Sequence, residues 1–198
     1  MFPLIETIKI EKGKAAALPY HQMRMAGAFA DLFPESPVPV LEEVLHPDKG
    51  MRLFKCRVEY DREGIINVEY SPYSLRPVNS LLVVDDDDID YRYKSSDRSS
   101  LERLFNMRGE ADDVLICRRG LITDTSYANV AFYDGSRWLT PHLPLLCGTR
   151  RKRLLEKGLV KEADIGKEDL ASFEKVRTMN AMIEFGQIEF PATNIICK

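Results

Sequence analysis

Cysteine and long apolar runs are both scarce in this sequence. Its four cysteines, Cys56, Cys117, Cys147 and Cys197, lie far apart along 198 residues. They form neither a C-x-x-C pair nor a dense disulfide framework, which favours reduced thiols and a cytoplasmic location. No apolar run approaches the roughly 20 residues that cross a bilayer, and the first residues lack the charged n-region of a signal peptide. We therefore expect no membrane insertion and no secretion.

An excess of positive charge is also absent. The 28 basic and 31 acidic side chains give a net charge of −3, so no broad basic surface for nucleic acid is expected. The histidines His21, His46 and His142 are scattered without nearby ligand-type groups, which argues against a metal site. The four carboxylates of 85–88 are consecutive rather than spaced along a calcium-binding loop, and they indicate a solvated turn.

The arrangement of hydrophobic patterns predicts an α+β protein made of two units. Two prolines in the stretch 72–77 mark the boundary between a small N-terminal α/β unit, 1–77, and a larger, β-rich C-terminal unit with helices, 78–198. Helical patterns cover 18–33, 40–45, a segment beginning near 99, another beginning at 148–149, and 164–173. Strand patterns cover 3–10, 52–60, 65–70, 81–84, 89–93, 113–118, 129–133, 137–140, 175–179 and 187–196.

Lys94 occupies a distinctive position between a strand-like run and a helix start. The run 89–93 delivers it, and Ser99 with Glu102 has the spacing of a capping box for the helix that follows. A lysine fixed in a partly dry place becomes a nucleophile if its pKa falls from the free value of about 10.4. The alternative is a solvent-facing lysine, which is the usual situation for this residue type.

Three further features could bind an anionic cofactor. Gly148 and Thr149 open a helix, with a hydroxyl for capping and amides that suit a phosphate; an ordinary capped helix is the alternative. Arg24 lies one helical turn after His21 and could donate two hydrogen bonds to a phosphate, or it could be a surface arginine. Asp124 lies in a loop, where it could face a cofactor or form an Asx-turn.

The order of these features along the chain resembles the class IV aminotransferase family. The family comprises fold-type IV pyridoxal-phosphate enzymes, including branched-chain and D-amino-acid aminotransferases and 4-amino-4-deoxychorismate lyase. The segments that carry the resemblance are I-E-T-I-K-I, H-Q-M-R, Y-K-S-S-D-R, G-L-I-T-D-T-S-Y-A-N-V, L-T-P, L-L-C-G-T-R-R and M-N-A-M.

The resemblance implies a cofactor, a set of site residues and an assembly. The cofactor is pyridoxal 5'-phosphate, and the assembly is a homodimer that acts on a small amino substrate. Lys94 would carry the cofactor as a Schiff base and act as the catalytic base. Asp124 stands where the family usually has a glutamate that keeps the pyridine nitrogen protonated. The residues implied to hold the phosphate are Arg24, Gly148, Thr149, Met179 and Asn180.

The resemblance leaves the reaction open among three alternatives. The first is elimination of pyruvate from 4-amino-4-deoxychorismate to give 4-aminobenzoate, which the K-x-x-x-R spacing of Lys94 and Arg98 favours. The second is transamination of a branched-chain or D-amino acid. The third is a non-catalytic, cofactor-binding relative, because the N-terminal half is short for the family. Arg98 could equally pair with Glu102 on a solvated helix face.

Overall fold

The computed structural model describes residues 2–197, which form two compact units. The first unit contains the chain up to Leu75 together with the segment Tyr93–Asp97. The second contains Arg76–Arg92 and the chain from Arg98 onward. Lys94 therefore belongs to the first unit by its contacts, whereas the sequence flanking its short segment belongs to the second. The division into domains at residue 77 stays a prediction.

The first unit consists of an antiparallel sheet and helices. Its elements are β1 (Leu4–Glu11), β2 (Lys14–Ala15), α1 (Leu18–Leu32), α2 (Leu41–Val44), β3 (Leu53–Asp61) and β4 (Gly64–Pro72). The strands lie side by side in the order β2-β1-β3-β4, so β1 is paired along both of its edges.

Helix α1 packs on one face of this sheet. Pro19 suits the first turn, where its missing N–H has no partner to lose. Met25 and Phe29 are buried, and the Phe29 ring stacks on Tyr60 of β3 at a centroid distance of 5.9 Å. Each such side chain stabilises the fold by about 1.5–3 kcal/mol through burial. The alternation of β1 points Ile8 toward this core, and it places Glu6 on the same face.

The second unit is a larger mixed sheet covered by short helices. Its elements are β5 (Leu81–Asp85), α3 (Ser99–Asn106), β6 (Asp113–Arg118), β7 (Leu121–Thr125), β8 (Asn129–Tyr133), β9 (Trp138–Pro141), α4 (Thr149–Glu156), β10 (Lys161–Ala163), a 3-10 helix (Glu168–Ser172), β11 (Lys175–Met179), β12 (Glu189–Pro191), a 3-10 turn (Ala192–Asn194) and β13 (Ile195–Ile196). The sheet runs β10-β9-β8-β7-β6-β5-β13, with β11 pairing with both β8 and β12.

Strand β8 lies at the centre of this unit and is covered on both faces. Val130 and Phe132 point into the largest apolar cluster. Ala131, on the opposite face, packs with Leu154 of α4 and Met179 of β11. Since side chains alternate along a strand, Asn129 lies on the α4 face with Ala131. These patterns confirm the expected α+β fold.

Strand β7 is an element that the sequence patterns did not predict. It pairs with β6 through a two-residue turn formed by Arg119 and Gly120, which have φ values of 53° and 80°. Positive φ at both positions is typical of hairpin turns that match the twist of the strands. Asp124 therefore lies on a strand, not in a loop, and the Asx-turn alternative is wrong.

The strand expected over 89–93 is not formed, and Lys94 lies in an irregular segment. The amide of Asp88 donates to the Asp86 carboxylate at 3.0 Å, and the amide of Arg92 donates to Asp90, also at 3.0 Å. Such local side-chain hydrogen bonds compete with pairing in a sheet. The aspartate-rich composition therefore overrides the alternation of Ile89 and Tyr91.

Three smaller expectations are also corrected. Helix α3 has Arg98 as its N-cap, without a side-chain cap, so Ser99 and Glu102 do not form the expected capping box. Gly148, and not Thr149, is the N-cap of α4. The predicted last strand is two short strands separated by a 3-10 turn at 192–194, and the helix expected over 164–173 is a 3-10 helix of five residues.

Within residues 2–197, no helix is long and apolar enough to span a membrane. The same part of the chain contains no group of three or more His, Cys, Asp or Glu side chains arranged to hold a metal ion.

Candidate active site

Asp124 is a buried carboxylate in the middle of the second unit. Its side chain is 4% exposed. One carboxylate oxygen accepts a hydrogen bond from Asn129 Nδ2 at 2.7 Å, and the other accepts one from the Leu146 amide at 2.9 Å. Asn129 Nδ2 also donates to the Leu146 carbonyl at 2.9 Å. Both donors to Asp124 are neutral groups.

The surroundings of Asp124 raise its pKa to about 6. The main cause is burial, because removal from water disfavours the charged form. The hydrogen bonds from Leu146 and Asn129 lower the pKa, as does the positive charge of Arg151, but together they offset burial only in part. A cation placed against this carboxylate would therefore be strongly stabilising.

Gly148 is in close contact with the Asn129 side chain. A Cβ at Gly148 would lie 2.0 Å from Asn129 Oδ1. The backbone at Gly148 is extended, with φ −67° and ψ 141°, so glycine is required here by space and not by conformation. Sequence patterns identified Gly148 as a helix start but gave no sign of this contact.

Helix α4 begins immediately after Gly148 and presents its first amides without a side-chain cap. Thr149 is buried at the first helical position, and Arg150 and Arg151 are buried beside it. The Arg150 guanidinium donates to the Glu184 carboxylate at 2.5 and 2.7 Å. Arg151 donates to the Pro141 carbonyl and to Glu162, both at 2.7 Å. Both arginines are thus neutralised by glutamates.

The turn after β11 lies against the same helix. Arg150 Nε donates to the Asn180 carbonyl at 3.4 Å. Asn180 Oδ1 accepts from the amides of Met182 and Ile183, at 2.9 and 3.0 Å, and its Nδ2 donates to the Tyr127 carbonyl at 3.2 Å. Met179 pairs with Asn129 across β11 and β8. The structure therefore brings Asp124, Gly148, Thr149, Met179 and Asn180 together through direct contacts within the second unit.

Arg24 lies in the first unit, where it forms a buried ion-pair cluster. Its Nε and one Nη donate to Glu6 at 2.8 and 2.5 Å. His21 Nδ1 lies 2.5 Å from Glu6 Oε2. Glu6 is fully buried, and burial alone would raise its pKa, but Arg24 and His21 outweigh burial and lower the pKa to about 2.

Sequence reasoning did not single out Glu6 as a functional residue. The available signal was its position, because a carboxylate stands at an inward-facing site of an otherwise apolar strand. Such a group needs a partner in the core, and the H-Q-M-R segment supplies two.

Lys94 is held by its backbone at the edge of β1. Its carbonyl accepts a hydrogen bond from the Ile5 amide at 2.8 Å, and the Ser96 amide donates to the Pro3 carbonyl at 2.8 Å. Ser95 forms an isolated bridge with Leu4. Because this part of the chain is half-buried, Lys94 is not a freely solvated surface lysine.

Arg98 makes contacts that its sequence spacing did not predict. Its guanidinium donates to the Tyr91 hydroxyl at 3.2 Å and to the Ser126 carbonyl at 2.8 Å. The alternative of an ion pair with Glu102 is therefore not adopted.

Comparisons with known proteins place these residues in context. A family model described as amino-transferase class IV matches residues 57–189. A Haemophilus influenzae protein without an assigned function is 35% identical over 187 residues, covering 92% of this chain and 98% of its own length.

Solved structures also resemble the chain over nearly all of its length. A Haemophilus somnus structure, provisionally named 4-amino-4-deoxychorismate lyase, is 34% identical with a TM-score of 0.85, over 93% of this chain and 98% of that one. A Mesorhizobium loti structure, provisionally named amino-acid aminotransferase, is 25% identical with a TM-score of 0.80, over 99% and 100%. A hypothetical aminotransferase of Mycobacterium tuberculosis, solved with pyridoxal phosphate bound, shares the fold at 19% identity and a TM-score of 0.75, over 94% and 80%.

Proposed function

The chain belongs to the class IV aminotransferase family, and we propose that it is a pyridoxal-phosphate-dependent 4-amino-4-deoxychorismate lyase. It is an enzyme of this family, which includes both lyases and aminotransferases. The observation that carries the cofactor assignment is the buried Asp124 carboxylate, whose hydrogen-bond donors are neutral and whose pKa is raised to about 6. A protonated ring nitrogen is the cation that such a carboxylate would stabilise.

The other residues of the second unit also fit the chemistry of pyridoxal phosphate. The uncapped first amides of α4 and the buried Thr149 suit a phosphate group, because amides and the helix dipole both favour an anion. The turn at Asn180 is bound to α4 by Arg150 and supplies backbone groups beside it. When bound, the cofactor supplies an electron sink for the carbon that carries the substrate amino group.

In this proposal each protein group has a defined task. Asp124 holds a proton on the ring nitrogen, and Asn129 with the Leu146 amide fixes the orientation of that carboxylate. Gly148, Thr149, Met179 and Asn180 hold the phosphate in the second unit. Arg24 contributes a guanidinium oriented by Glu6. Lys94 bonds to the cofactor, and its Nζ takes the proton from the amino-bearing carbon.

The lyase reaction balances without water or a second substrate. The amino-bearing carbon loses a proton, and the ether bond to the enolpyruvyl group breaks. The ring becomes aromatic, and the departing enol takes a proton on its methylene carbon to become pyruvate. The products are 4-aminobenzoate and pyruvate. The relative from Haemophilus somnus and the Lys94-x-x-x-Arg98 spacing support this reaction over transamination.

Transamination of a branched-chain or D-amino acid is the second candidate. The full-length similarity to the Mesorhizobium loti structure favours it. Both reactions begin with removal of a proton from the amino-bearing carbon, and they differ in the fate of the electrons, which the shape of the substrate pocket decides.

Coupled assays on the purified protein separate the two candidates. Pyruvate and 4-aminobenzoate formed in equal amounts from 4-amino-4-deoxychorismate, without an added keto acid, support the lyase. Glutamate formed from an amino acid only with 2-oxoglutarate, and no 4-aminobenzoate, supports the aminotransferase. Lys94→Ala should abolish either activity, and a protein that takes up no pyridoxal phosphate contradicts both.

A cytoplasmic location and a homodimer are further parts of the proposal. All four cysteines are free thiols, with Cys147 and Cys197 exposed, which suits a reducing compartment. The homodimer follows from the family resemblance. Light scattering on the native protein tests it, and a strictly monomeric active enzyme contradicts it.

A further inference from the structure

Arg98 lies four residues after Lys94, where the chain enters α3. It joins two other parts of the second unit. One Nη donates to the Tyr91 hydroxyl and the other donates to the Ser126 carbonyl. The guanidinium carbon also lies 5.7 Å from the centroid of the Tyr91 ring, a distance typical of a cation–π contact.

Tyr91 and Arg98 are the two ends of the loop that carries Lys94. Tyr91 is anchored, because its ring is buried in a cluster with Leu101 and Leu104 of α3. The hydrogen bond between residues 91 and 98 therefore closes the Lys94 loop at its base. Closing a loop at its base reduces the number of conformations open to the residues between its ends.

Ser126, the second acceptor, lies two residues after Asp124 in the turn between β7 and β8. This turn is tight, since the Thr125 amide donates to the Ala128 carbonyl at 2.9 Å. Asp124 and Asn129 pair directly across its base. The Ser126 carbonyl is thus fixed relative to the Asp124 carboxylate.

We propose that Arg98 is a positioning residue that fixes the base of the Lys94 loop against the Asp124 turn. The inference rests on the proposed function, in which Lys94 and Asp124 act on one cofactor. Arg98 touches no reacting atom in this role and acts through the backbone of the loop. A planar guanidinium can serve two acceptors in fixed directions, which a lysine ammonium does less well.

The first test measures amide hydrogen exchange in the full chain without cofactor. The amides of Ser95, Ser96 and Asp97 donate to Tyr93, Pro3 and the Ser95 hydroxyl, so they report on order in the loop. Arg98→Met should raise exchange over 92–97 by about tenfold or more, and Arg98→Lys should raise it less. The matched control is Arg103→Met, which removes an arginine of the same helix that pairs with Asp86 and should leave this exchange unchanged.

The second test measures steady-state kinetics of the cofactor-loaded variants. Arg98→Met should lower kcat on the order of 100-fold, the effect of misplacing a reacting group by about 1 Å, while KM changes little. Arg98→Lys should recover part of the loss. Tyr91→Phe removes one acceptor and keeps the ring, so it supplies a milder variant if Arg98→Met does not fold.

Wild-type exchange over 92–97 in both Arg98→Met and Tyr91→Phe would overturn the inference. A wild-type protein that takes up no pyridoxal phosphate would instead overturn the proposed function, and that result is visible before any variant is compared.

Discussion

Two buried carboxylates, Asp124 and Glu6, show how local partners decide the charge of a residue. Burial raises the pKa of both groups. At Asp124 the partners are neutral donors, and the pKa rises to about 6. At Glu6 the partners are Arg24 and His21, and the pKa falls to about 2. Asp124 therefore needs a cation from outside the chain, whereas Glu6 already has one.

Asp124 should make the cofactor-free protein more stable as the pH falls from about 6 to 4. Its pKa is raised on folding, so the folded state takes up a proton in this range before the unfolded state does. The free energy of unfolding should rise by about 1.4 kcal/mol per pH unit, or about 2–3 kcal/mol in all. Urea unfolding across this range measures the change.

Asp124→Asn is the control for this pH dependence, because it cannot titrate. Other carboxylates, Glu6 included, contribute equally to both proteins, so the difference between the two profiles isolates Asp124. A difference that stays constant with pH would contradict the account. The same substitution should lower kcat by at least about 100-fold, since the ring nitrogen loses its charged partner.

Glu6→Gln should destabilise the fold strongly. The substitution leaves the Arg24 guanidinium without its buried counter-charge, and breaking such a pair costs about 3–5 kcal/mol. Glu11→Gln is a matched control on the same strand, since Glu11 pairs with Lys9 but is 55% exposed. It should cost less than about 1 kcal/mol. Equal effects of the two substitutions on urea unfolding would count against the Glu6 cluster.

At the scale of elements, the start of α4 is shaped by contacts that a Cβ at Gly148 would disturb. Gly148→Ala would push Asn129 away from Asp124 and should cost about 1–3 kcal/mol of stability, as overpacking does, with weaker cofactor binding. Gly27→Ala is the control, because Gly27 lies within α1 with no atom within 4 Å of the added Cβ. That change should stabilise the protein by about 0.5–1 kcal/mol. A tolerated Gly148→Ala with normal cofactor affinity would contradict this role.

The ion pair of Arg150 and Glu184 should hold the Asn180 turn against α4. Glu184→Gln removes a charge-assisted pair worth about 1.5–3 kcal/mol, and we expect the Kd for pyridoxal phosphate to rise about tenfold. Glu162→Gln is the control: Glu162 is similarly exposed, at 43% against 46%, and pairs with the neighbouring Arg151. Fluorescence titration should show no comparable change there, and equal changes would contradict the assignment.

The elements differ in how far the sequence revealed them. The strands over 113–118, 129–133 and 175–179 were predictable because their apolar runs are bounded by turn residues. Strand β7 was not, because its turn uses Arg119 at positive φ instead of the usual Asn or Asp. The Lys94 segment gains its order from β1, which is distant in sequence, and no local pattern encodes that contact. Contacts such as Gly148 with Asn129 also depend on tertiary packing alone.

At the scale of the whole molecule, the family and the α+β architecture were evident from ordered motifs, each of them weak alone. The family membership is confirmed by the family model and by relatives that match over nearly the full chain. The reaction, the homodimer and the roles of individual residues remain proposals, because they depend on pocket shape and assembly, which sequence motifs do not specify.

The most direct test of the central claim is to locate the cofactor on the chain. The purified protein is loaded with pyridoxal phosphate, treated with borohydride to fix the cofactor to the lysine that holds it, and digested with trypsin for mass spectrometry. The account predicts one stoichiometric modification, on Lys94, with loss of cleavage after that residue. Modification scattered over other lysines, or a fixed cofactor that persists unchanged in Lys94→Ala, would contradict it.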